Sequence, residues 1–431
     1  MANIDIMILY EHVQRELKSA CILKVLLENE GYSVKIVNVA WRKGLLNLLY
    51  KPKLIISPSC QNNLGMDYIV HNFVGAYNGG YKILNLYSEQ LSPSSAEDVL
   101  AIKEKALQIY HIAWGEYTYQ NLLNYGLSQQ QIKITGSQRL DYTKEVFKNL
   151  TVAKDVIAEK FGLNLKKKWI MMVGNFTAKD EPQKEFNRIE SEGYHNFKEI
   201  YYLTKKTYYE LINWYETILN DETLKDKFEF IYRPHPNELL DNKLTELSKK
   251  YKNFHIIGEL TISDWALNID LVYTWTSTSS VEFAVAKVPI ISLMPFKLPK
   301  YHEMPLVNKL KTVRTIDELM FMTKDIFTTD GCDINNEFYD ATRYYYYLEN
   351  DSASKSIVDF VKIILNDDKN IVKSEFNIFK GIIKMFVFFI EYILFALRIS
   401  PNKYLAIRFR DVRTQKYIEN YCQFVRKKLY G

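Results

Sequence analysis

The stretch LVYTWTSTSSVEFAVAKVPIISL, residues 271–293, decides the fold. Leu271–Thr274 is an apolar run of strand length, Ser280–Ala286 is spaced as a helix, and Pro289–Leu293 is a second buried strand. Strand, helix and strand in such close succession imply a right-handed crossover and parallel pairing. Between the first strand and the helix, Thr276, Ser277, Thr278, Ser279 and Ser280 each carry a hydroxyl. Capping a helix needs only one of them. A run of hydroxyls at a helix start, where backbone N–H groups are unpaired, suits an anion such as a phosphate.

Working outward, Trp169–Val173, Phe228–Tyr232 and Phe254–Ile257 read as further strands, with a long helix over Phe197–Leu219. The N-terminal half repeats the alternation. Strands are expected at Ile4–Tyr10, Tyr32–Val39, Leu54–Ser57, Lys82–Tyr87, His111–Trp114 and Ile132–Thr135, and a helix over Val13–Asn29 stopped by Gly31. The expectation is an α/β chain of two Rossmann-like domains, 1–150 and 160–340, facing each other across a cleft, with a C-terminal helical extension over 341–431. Ligands of such sheets sit at the carboxyl ends of the strands.

Composition narrows the function classes. Hydrophobic residues at 47% and charged residues at 25% are enough for two ordinary cores. The four cysteines, Cys21, Cys60, Cys332 and Cys422, show no paired spacing, which argues against a zinc site or a disulfide framework. The first residues lack the basic and apolar regions of a signal peptide, so a cytoplasmic location is expected. Net charge is +5, yet residues 371–431 alone balance to +8 and leave the rest at −3. A near-neutral body argues against nucleic acid as a partner.

The basic tail contains an aromatic and aliphatic segment, Phe376–Ile399, interrupted by Lys380, Lys384, Glu391 and Arg398. Its uncharged runs fall far short of the ~20 residues that span a bilayer. It reads as an interfacial helix on the anionic inner leaflet, making the protein peripheral to the inner membrane. The alternative is a helix that closes over the two domains.

A second cluster, Arg233-Pro234-His235-Pro236-Asn237-Glu238, comes directly after a strand. The prolines deny the segment a helix and leave the imidazole projecting from the strand's carboxyl end. Arg233 and His235 suit a phosphate oxygen, although a solvated polar turn is the alternative. No DxD pair lies in a loop that would hold a cation, so neither a metal nor a cofactor is expected.

Together, R-P-H-P after one strand, Ser-Ser-x-Glu at a helix start and K-x-P-I-I after it resemble bacterial surface-carbohydrate glycosyltransferases of the GT-B type. The likeness is greatest to capsule and O-antigen transferases that use CMP-activated Kdo or nonulosonates. CDP-glycerol and CDP-ribitol transferases share a similar pair of motifs. Arg15-Glu16-Leu17 looks like that family's entry to its first helix, and Thr135–Asp141 like its T-G-N-P-R-x-D segment, with Ser137-Gln138 in place of Asn-Pro.

The resemblance implies a donor site of Arg233, His235, Asn237, Thr276, Ser277, Thr278, Ser279, Ser280, Glu282 and Arg139, and an acceptor that is a glycan or lipid-linked glycan. Glu89, Glu16 and Asp141 compete for the role of catalytic base, while Arg139 with Asp141 could equally form a local ion pair. Two rival readings stand beside glycosyl transfer. One is polyol-phosphate transfer, and the other is a non-catalytic glycan-binding subunit.

Overall fold

The computed structural model describes residues 2–39, 50–63, 65–66, 81–329, 332–372, 378–397 and 409–431. The chain divides into two compact units, the first comprising Met1–Gln90, Leu100–Leu150 and Tyr344–Gly431, the second Leu91–Val99 and Thr151–Arg343.

The first unit is built on six strands, β1 (Ala2–Tyr10), β2 (Val34–Asn38), β3 (Tyr50–Ser57), β4 (Lys82–Asn85), β5 (Tyr110–Ala113) and β6 (Ile132–Ile134). They form one sheet in the order β2-β1-β3-β4-β5-β6, parallel at every pairing. β4 stops short of the expected Tyr87. The Asn85 side chain accepts the Tyr87 N–H at 3.0 Å, and Tyr87 turns to a φ of 51°. A side-chain acceptor two residues back competes with the ladder and ends the strand.

The first helix also differs from its expectation. Val13–Leu17 is a π-helical turn, and the regular helix α1 begins only at Lys18 and runs to Asn29. Such turns are rare and concentrate at functional sites.

The second unit carries β7 (Lys168–Gly174), β8 (Phe228–Arg233), β9 (Phe254–Ile256), β10 (Leu271–Trp275), β11 (Ile290–Leu293) and β12 (Thr312–Val313). Their order is β12-β11-β10-β7-β8-β9, again all parallel. The long helix α2 (Phe197–Asn220) lays Tyr208, Leu211, Tyr215 and Ile218 into the core beside Phe230 and Tyr273. The short helix α3 (Ser280–Val285) joins β10 to β11.

The C-terminal helices belong to the first unit. α4 (Ala353–Asn366) buries Ile357, Phe360, Val361 and Ile364, and the Lys82 ammonium donates to its last carbonyls at Ile364 (2.6 Å) and Asp367. A cation there offsets the negative end of the helix dipole. Next comes α5 (Ile378–Ala396), and α6 (Gln415–Tyr430) lays buried Ile418, Cys422 and Val425 on the side of α1 that carries the buried Cys21. Burying each such side chain contributes ~1.5–3 kcal/mol, more than the half-exposed Arg426–Glu28 ion pair at the rim.

Candidate functional site

Each sheet has a point where its connections change direction. In the first unit β1 leads to β2 on one side and β3 to β4 on the other; in the second, β7 leads to β8 and β10 to β11. Crevices form at the carboxyl ends of such strand pairs.

In the second unit this edge holds Gly174, Trp275 and Arg233, since Gly174 pairs with Trp275 and Val173 with Arg233. Gly174 has no room for a side chain, because a Cβ would lie 2.1 Å from the Phe176 ring. That ring stacks on Trp275 at 5.0 Å and closes the top of the core. The chain then turns sharply. Thr276 has a φ of 49°, a left-handed conformation that a β-branched residue adopts only under strain. Its hydroxyl is buried and has no hydrogen-bond partner.

The neighbouring hydroxyls divide their work. Ser277 Oγ accepts the Ser279 N–H at 3.3 Å, and Ser280 Oγ donates to the Ser277 carbonyl at 2.8 Å, so both shape the turn itself. Thr278 and Ser279 are half-buried on the same turn. Glu282 is buried in the first turn of α3, and its charge acts on Arg233.

Arg233 is buried and donates to the Leu260 carbonyl at 2.9 Å, while its Nε has no partner. Burial lowers its pKa to about 10, opposed by the Glu282 and Asp264 carboxylates, so it remains a cation at neutral pH. His235 is half-buried. Its Nδ1 accepts the Asn237 N–H at 3.2 Å, which leaves the proton of the neutral ring on Nε2. The Asn237 Oδ1 is buried without a partner.

Glu238, in the same segment, has no role that its place in the sequence suggests. Its carboxylate accepts the Tyr232 hydroxyl at 2.5 Å and the His235 N–H at 3.2 Å, and so ties the R-P-H-P turn to the strand. Burial raises its pKa to about 7, against the pull of the Tyr232 hydrogen bond and the Lys179 charge.

The first unit has a pocket at its own switch point. Leu9, Pro58, Leu86 and Ile112 supply apolar walls, and Arg15, Glu16, Ser88, Gln138 and Arg139 supply polar ones. Glu16 rises from the π-helical turn, where its Oε2 accepts the Glu11 N–H at 2.5 Å and the His12 N–H at 3.2 Å. Burial raises its pKa, with Arg15 pulling the other way. Arg15 pairs with Glu89 at 2.7 Å, which places that half-exposed carboxylate at the pocket's margin.

Arg139 lies in this pocket, in a different unit from the other residues expected to bind the donor. Its guanidinium sits over the Trp114 indole at 4.9 Å and donates to the Ser88 carbonyl at 3.0 Å, while Tyr346 stacks on the same indole at 5.2 Å. Gly136 beside it, at φ 77°, leaves space for the Tyr347 carbonyl, which a Cβ would meet at 2.6 Å.

Asp141 serves elsewhere. It is 1% exposed and accepts Ser352 Oγ–H, Ala353 N–H and Ser354 N–H at 3.0, 2.7 and 2.8 Å, capping α4. The geometry makes it a structural anchor instead of a base facing substrate. A buried pair that sequence reasoning missed, His12 with Asp411, stands behind Glu16 at 2.8 Å between Nδ1 and Oδ2.

No family model matches the sequence, and no curated protein matches it. Solved structures do share the fold. A putative UDP-N-acetylglucosamine 2-epimerase from Listeria monocytogenes aligns at 13% identity over 86% of this chain and 100% of its own, with a TM-score of 0.51. The wall teichoic acid polymerase TagF aligns at 14% identity over 84% of this chain and 89% of its own, with a TM-score of 0.55. A form of the polymerase soaked with CDPG gives a TM-score of 0.54 at the same identity and coverage. The fold is therefore α/β of the GT-B type, two Rossmann-like units with a helical C-terminus.

Proposed function

We propose that this chain is a glycosyltransferase that moves a sugar from a nucleotide-activated donor, held by the second unit, to a hydroxyl of a glycan or lipid-linked glycan held by the first. The observation that carries the reading is the turn after β10. A strained, buried Thr276 with an unpartnered hydroxyl sits on the same sheet edge as the half-buried His235 imidazole. Strain is retained where a ligand needs the conformation, and donors of this kind stabilise a leaving phosphate. Arg233 holds the Leu260 loop and supplies the positive field, and Glu282 accepts from a ribose hydroxyl. In the first unit Glu16 takes the acceptor's proton, with Arg139 and the Arg15–Glu89 pair orienting the acceptor.

The donor is a CMP-activated acidic sugar, as the R-P-H-P and Ser-Ser motifs suggest. A CDP-polyol is the second reading, favoured by the likeness to a polymerase soaked with CDPG. Thermal-shift titration with CMP-sugars, CDP-polyols and UDP-sugars, and then transfer assays with the ligand that stabilises most, tests both. Stabilisation by none of them sinks the donor assignment; binding without turnover favours a glycan-binding subunit. Transfer proceeds without a divalent metal, so EDTA should leave it intact, and loss of activity restored by Mn²⁺ or Mg²⁺ would overturn that point.

The acceptor is met at a membrane surface. Along α5 and the residue just past it, Ile383, Phe386, Val387, Phe389, Ile390, Tyr392, Ile393 and Leu397 are 40–62% exposed, with Ile383, Phe386, Ile390, Ile393 and Leu397 spaced three or four apart on one face. Among the described residues no helix is long and apolar enough to cross a membrane. An apolar stripe in a segment with a charge balance of +8 suits the anionic inner leaflet. The intact protein should sediment with anionic vesicles and be released by carbonate; failure to bind them makes α5 a packing element.

A further inference from the structure

Residues 409–415 lie along the carboxyl ends of β1 and β2, almost four hundred positions from the strands they touch. The Tyr10 hydroxyl accepts the Arg413 N–H at 3.1 Å and donates to the Asp411 carbonyl at 3.3 Å. The Asn38 amide donates to the carbonyls of Glu11 at 3.1 Å and Asp411 at 3.4 Å, and Gln415 donates to the Ile36 carbonyl at 2.9 Å. These bonds fix Asp411, 5% exposed, against His12, 7% exposed. The backbone N–H of His12, with that of Glu11, then converges on one oxygen of Glu16.

We propose that Asp411 is a positioning residue for Glu16. By clamping the His12 ring it holds the turn that aims the carboxylate into the first unit's pocket, and its own charge favours the protonated ring beside that carboxylate. The inference rests on the reading of Glu16 as the group that meets the acceptor. A buried carboxylate drifts toward its neutral, proton-bound form, which accepts no proton from a substrate. A neighbouring imidazolium restrains that drift, and an imidazolium persists in a buried place only beside an anion.

The charged groups around the pair agree. His12 faces Asp411, Glu11, Glu16 and Arg15. Burial opposes its charge, but the Asp411 hydrogen bond and the two glutamates outweigh it, and the ring's pKa is raised above 6.5. Glu16 faces Arg15, Glu11 and His12, of which the two cations favour its ionised form. Glu89 tempers Arg15, and Arg139 lines the same pocket.

The test uses the full chain with carboxyl-labelled glutamate, the Glu16 resonance being identified by its loss in Glu16→Gln. Asp411→Asn keeps the shape and removes the charge, Asp411→Glu restores the charge, and His12→Gln removes the imidazolium directly. In Asp411→Asn and His12→Gln the Glu16 titration should move to higher pH, and in Asp411→Glu it should return toward wild type. Transfer at pH 6 should fall roughly tenfold in the first two while holding near wild type at pH 9, with donor KM unchanged. An unaltered Glu16 titration in both charge-removing variants overturns the proposal, even if one of them is less stable. If wild type shows no transfer with any nucleotide donor, the titration still decides the positioning role, and only the functional reading falls.

Discussion

The two switch-point sites share a topology and differ in chemistry. In the second unit the site is made of two near-continuous segments, 233–238 and 274–282, and consists of hydroxyls, one imidazole and a buried cation with its counter-charges. In the first unit the pocket draws on the ends of five strands, the π-helical turn and α4, is lined by a carboxylate and guanidiniums, and has the His12–Asp411 pair behind it. A parallel sheet supplies the crevice in both cases. The character of each crevice is set by the turns leaving its strands: one turn presents hydroxyls, the other a buried carboxylate, and the proposed roles of phosphate binding and proton transfer follow that difference.

This division of labour can be broken by substitution. Glu16→Gln should cost ~10²–10⁴-fold in transfer, the range for a general base, while nucleotide-induced thermal stabilisation stays at the wild-type value. Should nucleotide binding fall as well, the two sites are not chemically separate. His235→Ala should do the reverse. Transfer drops ~10²–10³-fold and the nucleotide shift shrinks, with unfolding of the free protein unchanged. Normal turnover in that variant would remove the second unit's phosphate assignment.

Two further changes sharpen the picture of the second unit. Glu238 has its folded pKa raised to about 7 from an ordinary 4.5. A raised folded pKa contributes stability that is whole below pH 4.5 and is lost as pH rises through 7, here about 3 kcal/mol. Urea unfolding between pH 5 and 8 should therefore show a shallower loss in Glu238→Gln than in wild type; equal slopes would mean that the carboxylate is not buried as described. Thr276→Gly should gain about 0.5–1 kcal/mol, since glycine takes φ 49° without a clash but gives up chain entropy. The nucleotide-induced shift should fall in the same variant. If stability and nucleotide response rise together, the strain serves the fold alone.

Legibility in the sequence ran along the same line. Strands were readable from apolar runs, and α2 was expected at Phe197–Leu219 and found at Phe197–Asn220. The Arg233–Glu238 and Thr276–Glu282 segments could be singled out because their members are neighbours in the chain. The first unit's pocket was only partly legible. Glu16, Glu89 and Arg139 were named, but no local signal tells that Trp114 carries Arg139 or that Asp141 is consumed in capping a helix 212 residues away. The His12–Asp411 pair, 399 residues apart, has no signature that a single sequence displays. Helical spacing likewise could not reveal a π turn, because that depends on a side chain reaching back to the strand end.

The discontinuity of the first unit has a consequence for synthesis. Its six strands lie within Met1–Gln90 and Leu100–Leu150, yet its remaining piece, Tyr344–Gly431, is translated after the whole of the second unit. The second unit is almost unbroken and is complete once Arg343 has left the ribosome. At ~5–20 residues per second the first unit's sheet waits roughly 10–40 s before Tyr344, where its remaining piece begins, is made. The first unit therefore closes only after the second, so a nascent chain that has just passed Arg343 carries all of the second unit and a first-unit pocket still lacking Asp411.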